Sequence, residues 1–287
     1  MFTRPFRFER AGRFGDACEL LRQRGEGAKV IAGGQSLLPL INLGLVQPDV
    51  VIDISRAGEG RGITAADGYL KIGALVTHAQ LAADPRAGRE QPLLGAAARR
   101  IGNARVRGRG TLGGSLAHSD PAAELPLVMV ALGASYEISN GYGTRTVKAE
   151  DFHLTFLTTA LEADELVVSA RLPTLGPRWG WSFQEFSRRD GDFAVAAVAA
   201  LVRAAEGVII ESRVAVGGVS DRPVRLADVE TALTGAAVDQ IPGRIGPVQG
   251  IQPVGDTAAS AEYRAHLCRV LVLRALAEAS QRSAEAA

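Results

Sequence analysis

The 287-residue sequence predicts a mixed fold of α/β or α+β class, in two parts. Three observations predict it. Over residues 1–80, short apolar runs alternate with stretches of helical spacing. A break rich in proline and glycine falls at Leu172–Trp181 (LPTLGPRWGW) and marks the best boundary between parts. Beyond it, two β-like runs precede one long amphipathic segment, the pattern of a small antiparallel sheet backed by helices.

The elements follow in order. Asp16 can cap a helix running to Arg24, with Ala17, Leu20, Leu21 and Arg24 at helical spacing and Gly25 as its stop. Lys29–Ala32 (KVIA) reads as a short strand broken by Gly33 and Gly34. Ser36 can cap a helical turn from Leu37, where Pro39 falls within the first turn and is tolerated. Val50–Ile54 reads as a second strand, and Tyr69–Ala74 alternates like a half-buried third. Leu93–Ile101 looks helical, Asn103–Arg109 basic and irregular, and Thr111–Ala117 a second glycine turn. Asp120-Pro121 predicts a helix start, with Asp as cap and Pro as first residue, interrupted or restarted at Pro126. Strands are expected at Ser135–Ile138 and Glu165–Leu172, then at Ala194–Arg203 and Val208–Val216, joined through Ala205–Gly207. Arg225–Leu233 reads as a short helix, 235–258 as loop, and Glu262–Ala279 as a long amphipathic helix. No repeat at a solenoid period occurs.

Composition narrows the function. Lys and Arg number 32 against 31 Asp and Glu, so no basic excess points to nucleic acid. Met1–Phe14 scatters arginines through its few apolar residues, unlike a signal peptide. The richest apolar run, Phe193–Val202, is too short to span a bilayer. The chain is therefore expected to be soluble and cytoplasmic, meeting a membrane only through a partner. Cys18 and Cys268 read as small buried hydrophobes, since two thiols cannot ligate an iron–sulfur cluster. His78, His118, His153 and His266 show no metal-ligand spacing. Any redox cofactor on this chain is then organic.

Two glycine segments carry the chemistry. In Ala32-Gly33-Gly34-Gln35-Ser36, glycine admits positive φ and lets the backbone approach a ligand with no Cβ in the way. A helix start adds unpaired N–H groups and the positive end of its dipole, which together suit a pyrophosphate. Thr111-Leu112-Gly113-Gly114-Ser115 repeats that small-residue chemistry, so the pair could wrap one extended ligand. Gly108–Gly113 (GRGTLG) also fits G-x-G-x-x-G, but no buried strand precedes it and no acidic residue follows at the required distance, which excludes NAD by that route. No P-loop is present, so ATP chemistry is not expected. The cluster Arg99, Arg100, Arg105, Arg107 and Arg109 reads either as a solvated face or as a dock for an acidic partner or phosphate.

Four segments, AGGQSLLPLINLGL (32–45), VIDIS (51–55), IGALVTHAQL (72–81) and RGRGTLGGSLAHSDPAAELP (107–126), resemble the FAD-binding medium subunit of the molybdenum hydroxylases. That family includes carbon monoxide dehydrogenase, xanthine dehydrogenase and relatives acting on N-heterocycles. EYRAHLCRVLVLRAL (262–276) resembles the same subunit's C-terminal domain, and the likeness covers nearly the whole chain. It implies an α+β, two-subdomain FAD-binding fold of the vanillyl-alcohol oxidase (PCMH) type over 1–176, divided near 56. A small α+β domain over 177–287 would follow. It implies FAD held without a covalent link by Ile31, Ala32, Gly33, Gly34, Gln35, Ser36 and Leu37 and by Thr111, Gly113, Gly114, Ser115, Ala117 and Asp120. Glu124 would be the acidic residue near the cofactor, Val167 a backbone contact to the ring, and Phe193 the aromatic side chain beside it. Ser115 stands where Asn is common, Gln35 where His is frequent, and Phe193 where some members carry Tyr. The last change removes a hydroxyl.

The resemblance also implies partners: a large subunit with molybdopterin, where substrate is hydroxylated, and a small subunit with two [2Fe–2S] clusters. This chain would take electrons singly and release them in pairs, in a dimer of heterotrimers, with no catalytic acid or base of its own. The alternatives are a stand-alone FAD oxidoreductase with its own substrate pocket, which a convergent His or Tyr pair would favour, and an interaction protein that has lost FAD.

Overall fold

Strand β1 (Arg7–Arg10), helix α1 (Phe14–Arg24), β2 (Ala28–Ile31), α2 (Leu37–Asn42) and β3 (Val50–Asp53) open the chain as alternating strands and helices. The three strands are parallel, with β3 in the middle. The computed structural model describes residues 4–286; Met1–Thr3 of the arginine-bearing amino-terminal segment, and Ala287, lie outside them. Helix α1 starts earlier than expected, and Asp16 lies inside its first turn rather than capping it. The Phe14 amide instead donates to Glu59 Oε1 at 2.6 Å, so a distant carboxylate takes the capping role. Gly25 ends the helix at φ 62°.

A second layer follows. β4 (Ile63–Ala66) and β5 (Tyr69–Gly73) form a hairpin. Six short helices come next: α3 (His78–Ala83), α4 (Pro85–Glu90), α5 (Pro92–Arg100), α6 (Ala104–Arg109), α7 (Leu112–His118) and α8 (Glu124–Ala131). β6 (Ser135–Ser139), β7 (Thr144–Lys148), helix α9 (Ala149–Phe152), the small hairpin β8 (His153–Thr155) and β9 (Thr158–Thr159), and β10 (Leu166–Pro173) complete it. The sheet runs β4-β5-β10-β6-β7, all antiparallel.

Three expectations need correction here. Asn103–Arg109 is not irregular: Asn103 Oδ1 accepts the Arg105 and Val106 amides at 2.9 and 3.2 Å and starts α6. The second glycine turn is the opening of α7, with Thr111 as its N-cap. Asp120-Pro121 does not start a helix: Asp120 Oδ1 takes the Ala122 amide at 2.8 Å in a local turn, and α8 begins at Glu124 with Pro126 in its first turn.

The third layer holds β11 (Trp179–Phe186), β12 (Ala196–Ala205), β13 (Val208–Gly217), β14 (Val224–Arg225), α10 (Ala227–Leu233), α11 (Ile241–Arg244) and α12 (Ala261–Glu285). Its four strands run in sequence order and antiparallel, as the small backed sheet predicted. Arg225 is the end of β14 rather than the start of a helix, and α12 runs past Ala279 to Glu285. β12 is buried on both faces. Ala197, Ala199 and Leu201 join the core of the second layer, while Ala196, Val198, Ala200 and Val202 join the core under α12. This explains the unbroken apolar run, since a strand covered on both faces loses the polar alternation.

Candidate cofactor site

A cavity of about 440 Å³ opens where the first two layers and the loop after β11 meet, and every site position expected from the sequence lines it. Residues 31–37 form one wall. Thr111, Gly113, Gly114, Ser115, Ala117, Asp120 and Glu124 form another, and Val167 and Phe193 contribute from β10 and the loop after β11. Phe193 stands on the rim, 67% exposed. Val167 borders a bulge in β10, where pairing with β6 slips between Val167 and Ser169.

The two glycine segments touch directly. A Cβ on Gly33 would collide with the Arg109 carbonyl oxygen and lie 2.9 Å from Gly110 Cα. Gly34 adopts φ 72°, which turns the chain from β2 into α2. The segments are chemically unequal, contrary to the reading that they repeat one another. Among the described residues, no protein acceptor takes the N–H groups of Gly33, Gly34, Gln35, Ser36 or Leu37. The amides of the second segment are engaged: Leu112 to Val76 O at 2.9 Å, Gly113 to Ala74 O at 2.8 Å, Gly114 to Thr111 Oγ1 at 3.2 Å and Ser115 to Thr111 O at 3.0 Å. The first segment thus offers backbone donors, and the second offers a surface without bulky side chains plus the Ser115 hydroxyl. Ser36 does not cap α2 with its side chain, which leaves that hydroxyl free as well.

Titratable groups add detail. Glu124 is 8% exposed, and no other side chain among the described residues hydrogen-bonds its carboxyl. Burial pushes its pKa up to about 7, the Glu124 amide opposes that, and Glu185 and Asp120 push the same way as burial. His78, in the IGALVTHAQL segment, also lines the cavity, and no sequence signal marks it as a site residue. Its Nε2 donates to Thr111 O at 3.1 Å, and burial pushes its pKa down to about 4, so the ring is neutral and braces the cap of α7. His118 also lines the cavity and is lowered, by burial, with Asp120 opposing.

The arginine cluster divides. Arg100 pairs with Glu185 at 3.6 Å, Arg107 donates to Ile101 O and Gly102 O at 2.8 Å each, and Arg99 donates to Ala82 O at 3.1 Å. Arg105 and Arg109 face solvent. Cys18 and Cys268 are fully buried, with burial pushing their thiols up to about 11 and about 12. His266 faces solvent on α12. No group of three His, Cys, Asp or Glu among the described residues is placed to hold a metal, and none of their helices is long and apolar enough to cross a membrane. A Ser119–His153–Tyr136 chain exists, with Ser119 Oγ 2.8 Å from His153 Nδ1 and Tyr136 Oη 3.2 Å from Nε2, but all three are buried in the core and none lines the cavity. The arrangement suits a ligand with a phosphate portion at the free amides and an apolar planar portion against Val167 and Phe193.

Comparison with known proteins matches residues 4–175 to the FAD binding domain in molybdopterin dehydrogenase and 181–279 to the CO dehydrogenase flavoprotein C-terminal domain. The nicotine 6-hydroxylase medium subunit of Paenarthrobacter nicotinovorans is 38% identical over 93% of this chain and 95% of its own. The carbon monoxide dehydrogenase medium chain of Hydrogenophaga pseudoflava is 33% identical over 99% of this chain and 100% of its own. The solved structure of carbon monoxide dehydrogenase from that organism superposes with a TM-score of 0.94 at 34% identity, covering 98% of this chain and 99% of that one. Quinoline 2-oxidoreductase from Pseudomonas putida 86 superposes at 0.92 with 32% identity, covering 99% of both.

Proposed function

The chain belongs to the family of FAD-binding subunits of the molybdopterin dehydrogenases, and on that premise we propose that FAD lies in the cavity between Gly33–Leu37 and Thr111–Ser115. The observation that carries this placement is the row of free amides from Gly33 to Leu37 beside an apolar cleft. Those N–H groups hold a pyrophosphate as they would hold any anion. The Ser36 and Ser115 hydroxyls add hydrogen bonds. The Glu124 carboxyl, protonated in part at neutral pH, is both donor and acceptor to the cofactor's polar chain. The Val167 backbone and Phe193 flank the ring, and Leu37, Leu75 and Leu166 exclude water from it. Bound FAD supplies redox chemistry that accepts electrons one at a time and releases them in pairs.

In this reading the chain is the flavin relay of a heteromeric molybdenum hydroxylase. A large molybdopterin subunit would oxidise the substrate, a small subunit with two [2Fe–2S] clusters would deliver the electrons here, and an external acceptor would take them from this chain. A dimer of such heterotrimers in the cytoplasm is the assembly we propose. We propose a division into 1–176, split near 56, and 177–287: each part contributes most of one core, while Ala74, Leu75 and Leu166 pack into the first core and Ala194, Ala197, Ala199, Leu201 and Ala215 into the second across those boundaries. A stand-alone oxidoreductase is the weaker reading, because the His–Tyr pair found among the described residues, His153–Tyr136, is sealed in the core.

Two measurements test this. The natively purified protein should carry two further chains and flavin; a lone chain that turns over a small molecule would overturn the assembly. Gly114→Val should weaken FAD binding, since a Cβ there meets only Thr111 Oγ1 at 2.9 Å before reaching the cavity. Full affinity in that variant would place the cofactor elsewhere.

A further inference from the structure

The first turn of α12 reaches the cavity wall without lining it. Arg264 is 5% exposed. Its Nη1 donates to Val195 O at 2.6 Å and also to Gly218 O, and its Nη2 pairs with Asp256 at 2.6 Å. One residue earlier, the Tyr263 ring packs edge-on against Phe186 with centroids 6.3 Å apart. Phe186 and Val195 are the two ends of the loop that carries Gly191, Asp192 and Phe193, and the Val195 amide donates to Phe186 O at 2.8 Å to close it. Gly218, reached by the same guanidinium, donates its N–H to Pro121 O at 2.7 Å. Pro121 belongs to the turn between Asp120 and Glu124, on another wall of the cavity. One side chain of the C-terminal helix therefore ties together two cavity walls from distant parts of the sequence.

We propose that Arg264 is a positioning residue for the cofactor: it fixes the Phe193 loop against the Asp120–Glu124 turn and so sets the surroundings of the flavin ring. The proposal rests on the placement of FAD in this cavity with Phe193 beside the ring. The geometry calls for arginine. A planar fork donates to two carbonyls and a carboxylate at once, whereas a lysine ammonium keeps the charge but not the fork. The ordinary role of such a residue, satisfying carbonyls for stability alone, would leave the flavin unaffected once the protein has folded.

The test uses Arg264→Lys, Asp256→Asn, Phe193→Leu and the Arg264→Lys/Phe193→Leu double variant. In the full chain without cofactor, amide hydrogen exchange at Val195 and Gly218 should quicken about tenfold in Arg264→Lys, the effect of one lost charge-assisted hydrogen bond, while the rest of β12 and α12 keeps its protection. In the FAD-loaded complex, Arg264→Lys and Phe193→Leu should each shift the flavin midpoint potential and visible spectrum, and the double variant should shift them no further than Phe193→Leu alone. Unchanged exchange at Val195 and Gly218 overturns the proposal, as does a uniform rise across the chain. Additive flavin shifts overturn it too. If Phe193→Leu leaves the flavin spectrum untouched, the underlying placement fails and the proposal with it, even where the exchange data show the clamp. Should Arg264→Lys not fold, Asp256→Asn carries the test: faster exchange confined to Val195 and Gly218 together with a shifted flavin midpoint potential supports the proposal, and unchanged exchange or an unmoved flavin potential overturns it.

Discussion

A Cβ at Gly33 meets the Arg109 carbonyl and Gly110 Cα, both backbone atoms that cannot rotate aside. At Gly114 the nearest atom is a single side-chain oxygen, Thr111 Oγ1, which caps the helix there. Gly33→Ala should therefore destabilise the cofactor-free chain by about 1–3 kcal/mol, the range for overpacking, and Gly114→Ala by less. Urea unfolding of the two variants checks the order, and a larger loss at Gly114 would contradict the packing. Both glycines are visible in the sequence as places where a side chain is unwelcome. What makes it unwelcome is not: at Gly33 it is the backbone of Arg109 and Gly110, and at Gly114 the Thr111 cap oxygen beside the cavity, and the first depends on which distant residues the fold brings up. His78 was illegible for the same reason. A lone histidine in an apolar segment shows nothing of the Thr111 carbonyl it braces.

At the scale of elements, legibility followed the local signal. β5 alternates in burial as its sequence alternates, and the hairpin from β12 to β13 turns at Glu206 and Gly207, both at positive φ, where the break in the pattern falls. Helix α6 looked irregular because its only start signal is Asn103, surrounded by arginines that suggest solvent. Helix α7 looked like a turn because two glycines fill its first turn, and its stability comes from the Thr111 cap and from strand-like bonds to Val76 and Ala74. β11 carries no strand signal of its own, because it begins inside the proline- and glycine-rich break. It holds Gly180, whose added Cβ would collide with the Ala279 carbonyl oxygen and lie 2.9 Å from its carbon, so α12 crosses the sheet against bare backbone there. Gly180→Ala should push the helix off the strand and cost about 2–4 kcal/mol, read as a lower urea midpoint. Its effect on the Gly33–Arg109 contact should be nil, so the two variants should be additive. A neutral Gly180→Ala would mean that α12 docks less closely on β11 than the Ala279 carbonyl contact requires.

For the whole molecule, three buried groups with large shifts make opposing contributions to how the cofactor-free chain responds to pH. Burial lowers His78 and His153 from 6.5 to about 4 and raises Glu124 from 4.5 to about 7. The histidines stay neutral in the folded chain while the unfolded chain protonates them, so their contribution is complete above pH 6.5 and lost as pH falls toward 4. Glu124 stays protonated in the folded chain while the unfolded chain ionises it, so its contribution is complete below pH 4.5 and lost as pH rises through about 7. Between pH 4.5 and 6.5 two histidines outweigh one carboxyl and stability rises with pH. Above 6.5 only Glu124 of these three still titrates, and their joint contribution falls until pH passes about 7. These groups therefore place the maximum near pH 6.5. Glu124→Gln keeps the shape of the side chain and removes its ionisation. At pH 8 it should be more stable than the parent by up to about 3 kcal/mol, with the gap closing toward pH 4.5. Saturating FAD adds about 2.7 kcal/mol at a hundredfold excess over its dissociation constant, so the titration must be run on chain stripped of flavin. Urea midpoints from pH 4.5 to 8 decide the matter. A parent midpoint that keeps rising from pH 6.5 to 8 and is unmoved by Glu124→Gln would mean that this carboxyl is hydrated, and that the cavity wall beside α8 is wetter than a flavin site requires.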